Sequence, residues 1–553
     1  MLLLLLAALP LAGQTEIAAE RAALSTVSPE ATKTGLTVLA SGGNAIDAMV
    51  AVSFALAVTH PSAGNIGGGG FLVYYEKATD SVWTLDYREV APAAATRSMY
   101  LDDEGKPKPQ ASTVGPLAAG VPGAVAGLAE AHAKFGSRPW RELVEPAVSL
   151  AREGFKWRAV DVTHFAEAQK NRQIERFPST AAIFFPDEEP LAVGAVVRQP
   201  ELANTLQRIA ANGAREFYEG TTARLIVDAM KKDGGIISAR DLREYKPTWR
   251  APIRIDYRDF EIFTMAPPSA GGLLLGEMLQ ILEAYDLESF GHQTPLALHL
   301  LSEVARRAYL DRNRYIGDPA TTRIPYAALF SPERASGWRS SIDLSRATPT
   351  ASLVPKSPGA EPGETTHFSI VDQQGNIASV TTTINTFFGN GYLVPGAGFL
   401  LNNEMDDFTT APGTPTAYGL MQSDANAIGP SRKMASSMTP TIIFRNDEPF
   451  LVLGSPGGGT IPTTVLQVFL NVTTYGMRIG EAIAAPRFHH QAWPDRILFE
   501  EGRASLDLLA TLNQMGHATR AQDSIGDVHA LMFQDGKIYA AADARRGGLA
   551  GGF

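Results

Sequence analysis

The 553-residue chain contains no cysteine. That absence excludes disulfides, thiolate metal sites and a thiol nucleophile at once. It leaves the compartment open, because a core this large needs no covalent staples. Basic runs are also missing. Charged residues make up 19% of the chain and the formal net charge is -10, a balance that repels phosphate backbones and excludes a nucleic-acid partner. Histidine is sparse and scattered. Only His489 and His490 are adjacent, and no His-Glu-x-x-His or His/carboxylate set stands at ligand spacing, so neither metal nor cofactor is expected. After the N-terminus no apolar run reaches the ~18 residues of a membrane helix, so no stable span is expected.

What is present suits a large folded protein. Hydrophobic residues make up 45%, and the length implies two lobes or one layered domain. Residues 1–14 form a short apolar stretch ending in small residues. They read as a secretory signal peptide, which places the mature protein in the periplasm or outside the cell. Helical spacing of Ala, Val and Leu runs through residues 20–60. Four consecutive glycines, Gly67 to Gly70, then permit a close backbone approach that a Cβ would block. Strands are predicted over 71–75 and 82–87, and again at 253–257 and 261–265. Helices are predicted over 124–135, 141–153, 202–211, 221–232, 273–285 and 295–314.

Residues 347–364 are rich in Pro, Ser, Thr and Gly and carry no apolar period, the signature of an exposed linker. Thr365 follows at once and opens a strand over 365–372. Gln373-Gln374-Gly375-Asn376 is the hairpin turn, and Ile377–Thr383 the return strand. Further strands are expected at 440–445 and 450–454, with a helix over 461–475. A helix-rich first part and a strand-rich second part suggest sheets stacked centrally with helices outside.

A threonine after a flexible linker can carry chemistry. Its hydroxyl is a weak nucleophile that needs a base. If the Glu364–Thr365 bond breaks, Thr365 gains an α-amine whose pKa of about 8 lets it take the hydroxyl proton. Alone, this is a weak signal. It strengthens beside GGNAIDAMVA from Gly42, THPSAGNIGGGGF from Thr59, DYREVAP from Asp86 and PPSAGG from Pro267. Further on come ETTHFSIVD from Glu364, LNNEMDDF from Leu401, ASSMTPTI from Ala435, GSPGG from Gly454 and APRFHHQ from Ala485. In these blocks the chain resembles the γ-glutamyltranspeptidase family of N-terminal nucleophile hydrolases, from Ala19 almost to Phe553.

The resemblance implies an α+β fold, a four-layer αββα sandwich formed jointly by two subunits cut from one precursor. Residues 15–364 would be the large subunit and 365–553 the small catalytic one. It makes Thr365 the nucleophile, Thr383 the group that orients it, and Gly457 and Gly458 the oxyanion hole. Arg88, Ser436 and Ser437 would hold a substrate α-carboxylate, a task for which a planar guanidinium fork is suited. Asp407, Asn385 and Glu404 would accept from its α-ammonium, and Asp406 would point elsewhere. Tyr418 would gate the site from a lid loop over 409–423. Glutathione and other γ-glutamyl compounds are the implied substrates, with water or an amino acid or dipeptide as acceptor. A cephalosporin acylase of the same fold and a non-catalytic exported binding protein are the alternatives. Two departures stand out: Asp543-Ala544-Arg545 where the family often has Asp-Pro-Arg, and Glu404 where some relatives have Gln.

Overall fold

The computed structural model describes residues 16–172, 174–354, 365–411, 415–417, 419–421 and 423–553. The signal-peptide segment 1–14, Glu364, residues 355–364 of the linker and Tyr418 lie outside the described residues.

Two seven-stranded antiparallel sheets form the centre. The first runs, edge to edge, Glu16–Ala19, Lys537–Ala542, His529–Gln534, Glu448–Leu453, Thr441–Arg445, Phe260–Thr264 and Ile253–Tyr257. The second runs Leu549–Gly552, Ala23–Thr26, Thr366–Val371, Ile377–Thr383, Gly69–Glu76, Ser81–Asp86 and Thr248–Arg250. Their facing sides pack through Val73, Tyr75, Ile377, Ile442, Val452 and Leu531, an apolar seam between sheets. The outer face of the second sheet is covered by helices between residues 29 and 233, that of the first by Gly271–Leu282, Pro295–Tyr315 and Ile461–Thr473. This is the four-layer αββα arrangement expected.

The split into a helix-rich first part and a strand-rich second part is too coarse. Residues before the linker and residues after it contribute seven strands each, interleaved in both sheets. The edge strand Glu16–Ala19 pairs with Lys537–Ala542, placing Glu16 opposite Ala541. The reading of 20–60 as helical also needs correction, since Ala23–Thr26 is a buried strand before helices Pro29–Ala40 and Ala45–Thr59. All fifteen residues of Ala45–Thr59 are buried. Such a helix is apolar on every side because it sits inside a layer. It starts at Asn44, whose side chain accepts from Asp47 N–H while the Asp47 carboxylate accepts from Asn44 N–H, each at 2.9 Å.

The hairpin reading places the centre of the second sheet well. Thr366 faces Thr382 and Val371 faces Ile377 across the turn, and Thr383 faces Gly69 on the next strand. The glycine run lies against this end of the sheet. A Cβ on Gly68 would stand 2.1 Å from the Thr383 carbonyl oxygen. The Asn65 side chain ties the two together, accepting from Gly68 N–H at 2.9 Å and donating to the Thr383 carbonyl at 2.9 Å.

Candidate active site

Thr365 stands one residue ahead of the strand Thr366–Val371, at 3% exposure. Its hydroxyl is 3.5 Å from that of Thr383, which ends the paired strand. That is long for a bond between hydroxyls, and catalytic hydrogen bonds often tighten only when substrate is bound. Thr383 Oγ1 accepts in turn from Asn385 N–H at 2.8 Å. Asn385 has a φ of 75°, a conformation Asn tolerates, which turns the chain so that its amide can donate to the Asn403 carbonyl at 2.9 Å. His367 turns elsewhere. Its ring contacts Thr381 and Ser369, at 2.9 and 3.1 Å.

Thr365, Thr383, Asn385, Gly458, Ser436 and Ser437 share a cavity with Arg88, Glu404 and Asp407. The free space among them is about 20 Å³, room for one water. Gly457, with a φ of 128°, stands one residue behind that wall. Gly458 begins the turn leading into helix Ile461–Thr473, so the positive end of a helix is directed at the cavity.

Another part of the lining is ionic. Arg88 Nη1 is 2.7 Å from Glu404 and 3.6 Å from Glu89, and Nη2 is 2.5 Å from Asp407. Arg88 is held from behind by Asp86, whose carboxylate accepts from Arg88 N–H at 2.9 Å and also binds Lys433 and Arg250, each at 2.8 Å. Three carboxylates buried around one guanidinium cannot all stay ionised easily. Desolvation pushes Glu404 well above the usual carboxylate range despite Arg88, and raises Asp407 too. It pushes Glu89 up to about 7. Asp406 points away, accepting from Ser112 Oγ and Ala417 N–H, each at 2.6 Å.

Ser436 and Ser437 reach the cavity because their segment is zipped to the PPSAGG loop. Ser436 N–H donates to the Pro268 carbonyl at 2.9 Å, and Ala270 N–H donates to the Ser436 carbonyl at 2.8 Å. The Ser437 hydroxyl is buried without a hydrogen-bond partner among the described residues, which leaves it to serve a ligand in the cavity. Leu420 closes the same cavity from the expected lid loop. One charged lining residue escaped the sequence reading. Arg312, on helix Pro295–Tyr315, is buried, and desolvation lowers it to about 10 although Asp407 opposes this. In sequence it sits within a charged helical turn and looks like solvated surface.

Two other polar clusters bear on the chemistry. Ser25, His529 and Asp527 stand in hydrolase-like order at 2.9 and 3.0 Å, but each is buried at 1% exposure or less and Ser25 Oγ donates to the Ala541 carbonyl. They join strands. His299, Glu303 and His517 lie close enough to hold a metal ion. Their atoms are already engaged: the two rings bond each other at 2.8 Å, and Glu303 binds Arg307 at 2.6 Å and Thr348 N–H at 3.0 Å. No helix among the described residues is long and apolar enough to cross a membrane.

A sequence profile described as Gamma-glutamyltranspeptidase matches residues 31–553. The chain is 42% identical over 534 residues to the glutathione hydrolase proenzyme of Escherichia coli (strain K12), covering 96% of this chain and 91% of that one. Its fold is similar to the cephalosporin acylase of Bacillus halodurans, with a TM-score of 0.85 and 25% identity over 98% of both chains. It is also similar to the gamma-glutamyltranspeptidase of Helicobacter pylori, with a TM-score of 0.57 and 40% identity over 59% of this chain and 93% of that one.

Proposed function

The chain belongs to the γ-glutamyltranspeptidase family and is a γ-glutamyl transferase and hydrolase, and from that premise we propose that Thr365 acts twice. Its hydroxyl first attacks the carbonyl of Glu364, and hydrolysis of the resulting ester divides the chain into 15–364 and 365–553. The α-amine freed at Thr365 is then the base for the second act. In that act the hydroxyl attacks the γ-carbonyl of a γ-glutamyl amide such as glutathione. The C–Oγ bond forms, the C–N bond breaks, and the amine leaves with the proton taken from the hydroxyl. Water or the amine of an amino acid or dipeptide then attacks the ester carbon, and Thr365 Oγ regains a proton.

The observation that carries this reading is the polarity of one buried cavity. The hydroxyls of Thr365 and Thr383 line it together with the ion-paired Arg88, Asp407 and Glu404. That set of charges suits a glutamyl head group, with its α-carboxylate on Arg88, Ser436 and Ser437 and its α-ammonium on Asp407, Asn385 and Glu404. Gly457 and Gly458 are assigned the developing oxyanion. A head group for an amino-acid zwitterion is not what a glutaryl or adipyl side chain requires, and this favours γ-glutamyl transfer over the acylase alternative. Tyr418 is assigned the gate on its position in the sequence alone. Segment 1–14 is read as an export signal, giving a periplasmic or secreted two-chain enzyme.

Intact-mass measurement and p-nitroaniline release from γ-glutamyl-p-nitroanilide test the proposal together. Wild type should give two fragments divided before Thr365 and release the anilide. Thr365→Ala should stay one chain and release none. An undivided, active wild type would refute the mechanism, and cleavage of adipyl or glutaryl amides with the γ-glutamyl amide untouched would establish the acylase.

A further inference from the structure

The wall of the acyl cavity holds a second guanidinium, that of Arg312. Arg312 is 2% exposed and lies in the last turn of helix Pro295–Tyr315. Tyr309, three residues earlier and on the same face, donates its hydroxyl to the Gly459 carbonyl, in the turn that carries Gly458. The end of the helix is tied to the expected lid loop. Ser423 N–H donates to the Asn313 carbonyl at 3.0 Å and Ser423 Oγ to the Arg314 carbonyl at 2.8 Å. Arg312 stands between these two fastenings.

A buried guanidinium ordinarily has a carboxylate of its own. Arg88, Arg306 and Arg307 do. Arg312 makes no ion pair among the described residues. Its one hydrogen bond there is a long one, 3.3 Å to Asn313 Oδ1, and its Nε has no partner. A cation in the last helical turn gains from the helix dipole, but the exposed Arg314 supplies that without burial. The carboxylate that acts on Arg312 most is Asp407. It opposes the desolvation that lowers Arg312 to about 10. Arg312 in return draws the Asp407 carboxyl down, beside Arg88 and against burial.

Asp407 is bound to Arg88 at 2.5 Å, and a substrate carboxylate on Arg88 would displace it. We propose that Arg312 is a positioning residue for Asp407: once a substrate carboxylate occupies Arg88, Arg312 is the cation that holds the displaced Asp407 against the substrate ammonium, and it thereby sets the preference for acyl groups that carry an α-amine. This rests on the reading of Thr365 as the carrier of a γ-glutamyl ester and of Asp407 as the partner of its ammonium. Around Asp407 stand two cations, Arg88 and Arg312, and three carboxyls, Glu89, Glu404 and Asp406. With Arg88 committed to substrate, Arg312 is the cation left in that set. A charge acts strongly without contact where water is nearly excluded. Without Arg312, burial and the neighbouring carboxyls would favour a protonated Asp407, a weaker acceptor for an ammonium.

Two substrates that differ only in the α-amine test it, γ-glutamyl-p-nitroanilide and glutaryl-p-nitroanilide. The ratio of their kcat/KM values on the divided enzyme reads the grip on the ammonium, and general losses of folding or turnover cancel from it. The ratio should be about 10³ or more in wild type. It should fall at least about tenfold in Arg312→Gln, or in Arg312→Met should the polar variant not fold, and Arg312→Lys, which restores the charge, should recover most of it. In Arg312→Gln the acid limb of kcat/KM should also move to higher pH, because a cation that favours the ionised Asp407 is gone. A ratio unchanged from wild type, or equally low in the Lys variant, would overturn the proposal alone. A ratio that survives Asp407→Asn would overturn the head-group assignment and the proposal with it. A wild type that releases no p-nitroaniline from the γ-glutamyl anilide would overturn the γ-glutamyl reading beneath both.

Discussion

Arg88 and Asp407 are 2.5 Å apart in the cavity, so the groups assigned to opposite ends of a substrate zwitterion hold one another. With about 20 Å³ between the lining side chains, the proposed assignment has a glutamyl group enter by exchange. Its carboxylate would replace Asp407 on Arg88, and its ammonium would take the carboxylate that is released. Arg88→Lys keeps the charge and loses the fork, so KM for γ-glutamyl-p-nitroanilide should rise at least tenfold with kcat affected less. Arg88→Ala leaves Glu89, Glu404 and Asp407 without their cation and should destabilise the fold by about 3–5 kcal/mol. Steady-state kinetics and denaturant unfolding measure the two effects.

Glu404 is expected to behave as a neutral side chain. Burial first, and then the charges of Glu89 and Asp407, push its carboxyl well above the normal range against the pull of Arg88. A protonated Glu still offers a carbonyl oxygen to an ammonium, as Gln does. Glu404→Gln should therefore keep kcat/KM near pH 7 within about threefold, and should remove any alkaline decline owed to Glu404 ionisation. A loss of about a hundredfold at pH 7 would mean that an ionised carboxylate is needed there.

Glu89 gives a pH-dependent stability of defined sign. Its carboxyl is pushed up to about 7, chiefly by burial, against an unfolded value near 4.3. Between those values the folded state holds the extra proton, so this group's contribution falls as pH rises. The melting temperature of Glu89→Gln relative to wild type should therefore increase from about pH 4.5 to about pH 7. Comparing the two proteins cancels the opposing trend of His490 and His517, which burial lowers to about 3 and about 4. A constant difference across the range would show that Glu89 titrates normally.

Thr383 takes the Asn385 N–H and faces the Thr365 hydroxyl. Thr383→Ala removes both interactions at about 1–3 kcal/mol and should lower kcat roughly ten- to a hundredfold. Thr383→Ser keeps the oxygen and should recover most of that loss. Equal defects in both variants would assign the role to the methyl group instead.

Gly68→Ala probes the backbone behind the nucleophile. The new Cβ would stand 2.1 Å from the Thr383 carbonyl oxygen, so the strand end has to move. We expect about 1–3 kcal/mol of destabilisation together with a fall in kcat, seen in thermal melts and kinetics on one preparation. A melting temperature and kcat equal to those of wild type would contradict the close approach.

The elements legible in sequence were those with their own local signals. Strands Ile253–Tyr257 and Ile377–Thr383 and helix Ala124–Phe135 have the predicted bounds, because alternation, a Gly-Asn turn or a helical apolar period marks them locally. Glu16–Ala19 and Leu549–Gly552 carry little of this. They are short, rich in Ala and Gly, and become strands only through partners such as Tyr539 and Ser25. The site divides in the same way. A threonine behind a linker was visible from composition, but the meeting of Arg88 with Asp407 was implied only by resemblance, since 318 intervening residues set no local pattern. Arg312 gave no signal, because what makes it part of the site is burial beside Asp407.

The interleaving of the sheets has a kinetic consequence for a chain divided before Thr365. Five strand ladders join residues before the linker to residues after it. An undivided chain refolds as one molecule, at a rate independent of its concentration. Once divided, neither fragment can complete a sheet alone, and each must find the other by diffusion, so recovery from denaturation becomes second order and slows on dilution. Maturation would thus exchange a chain that can restore itself for an enzyme whose persistence rests on never coming apart.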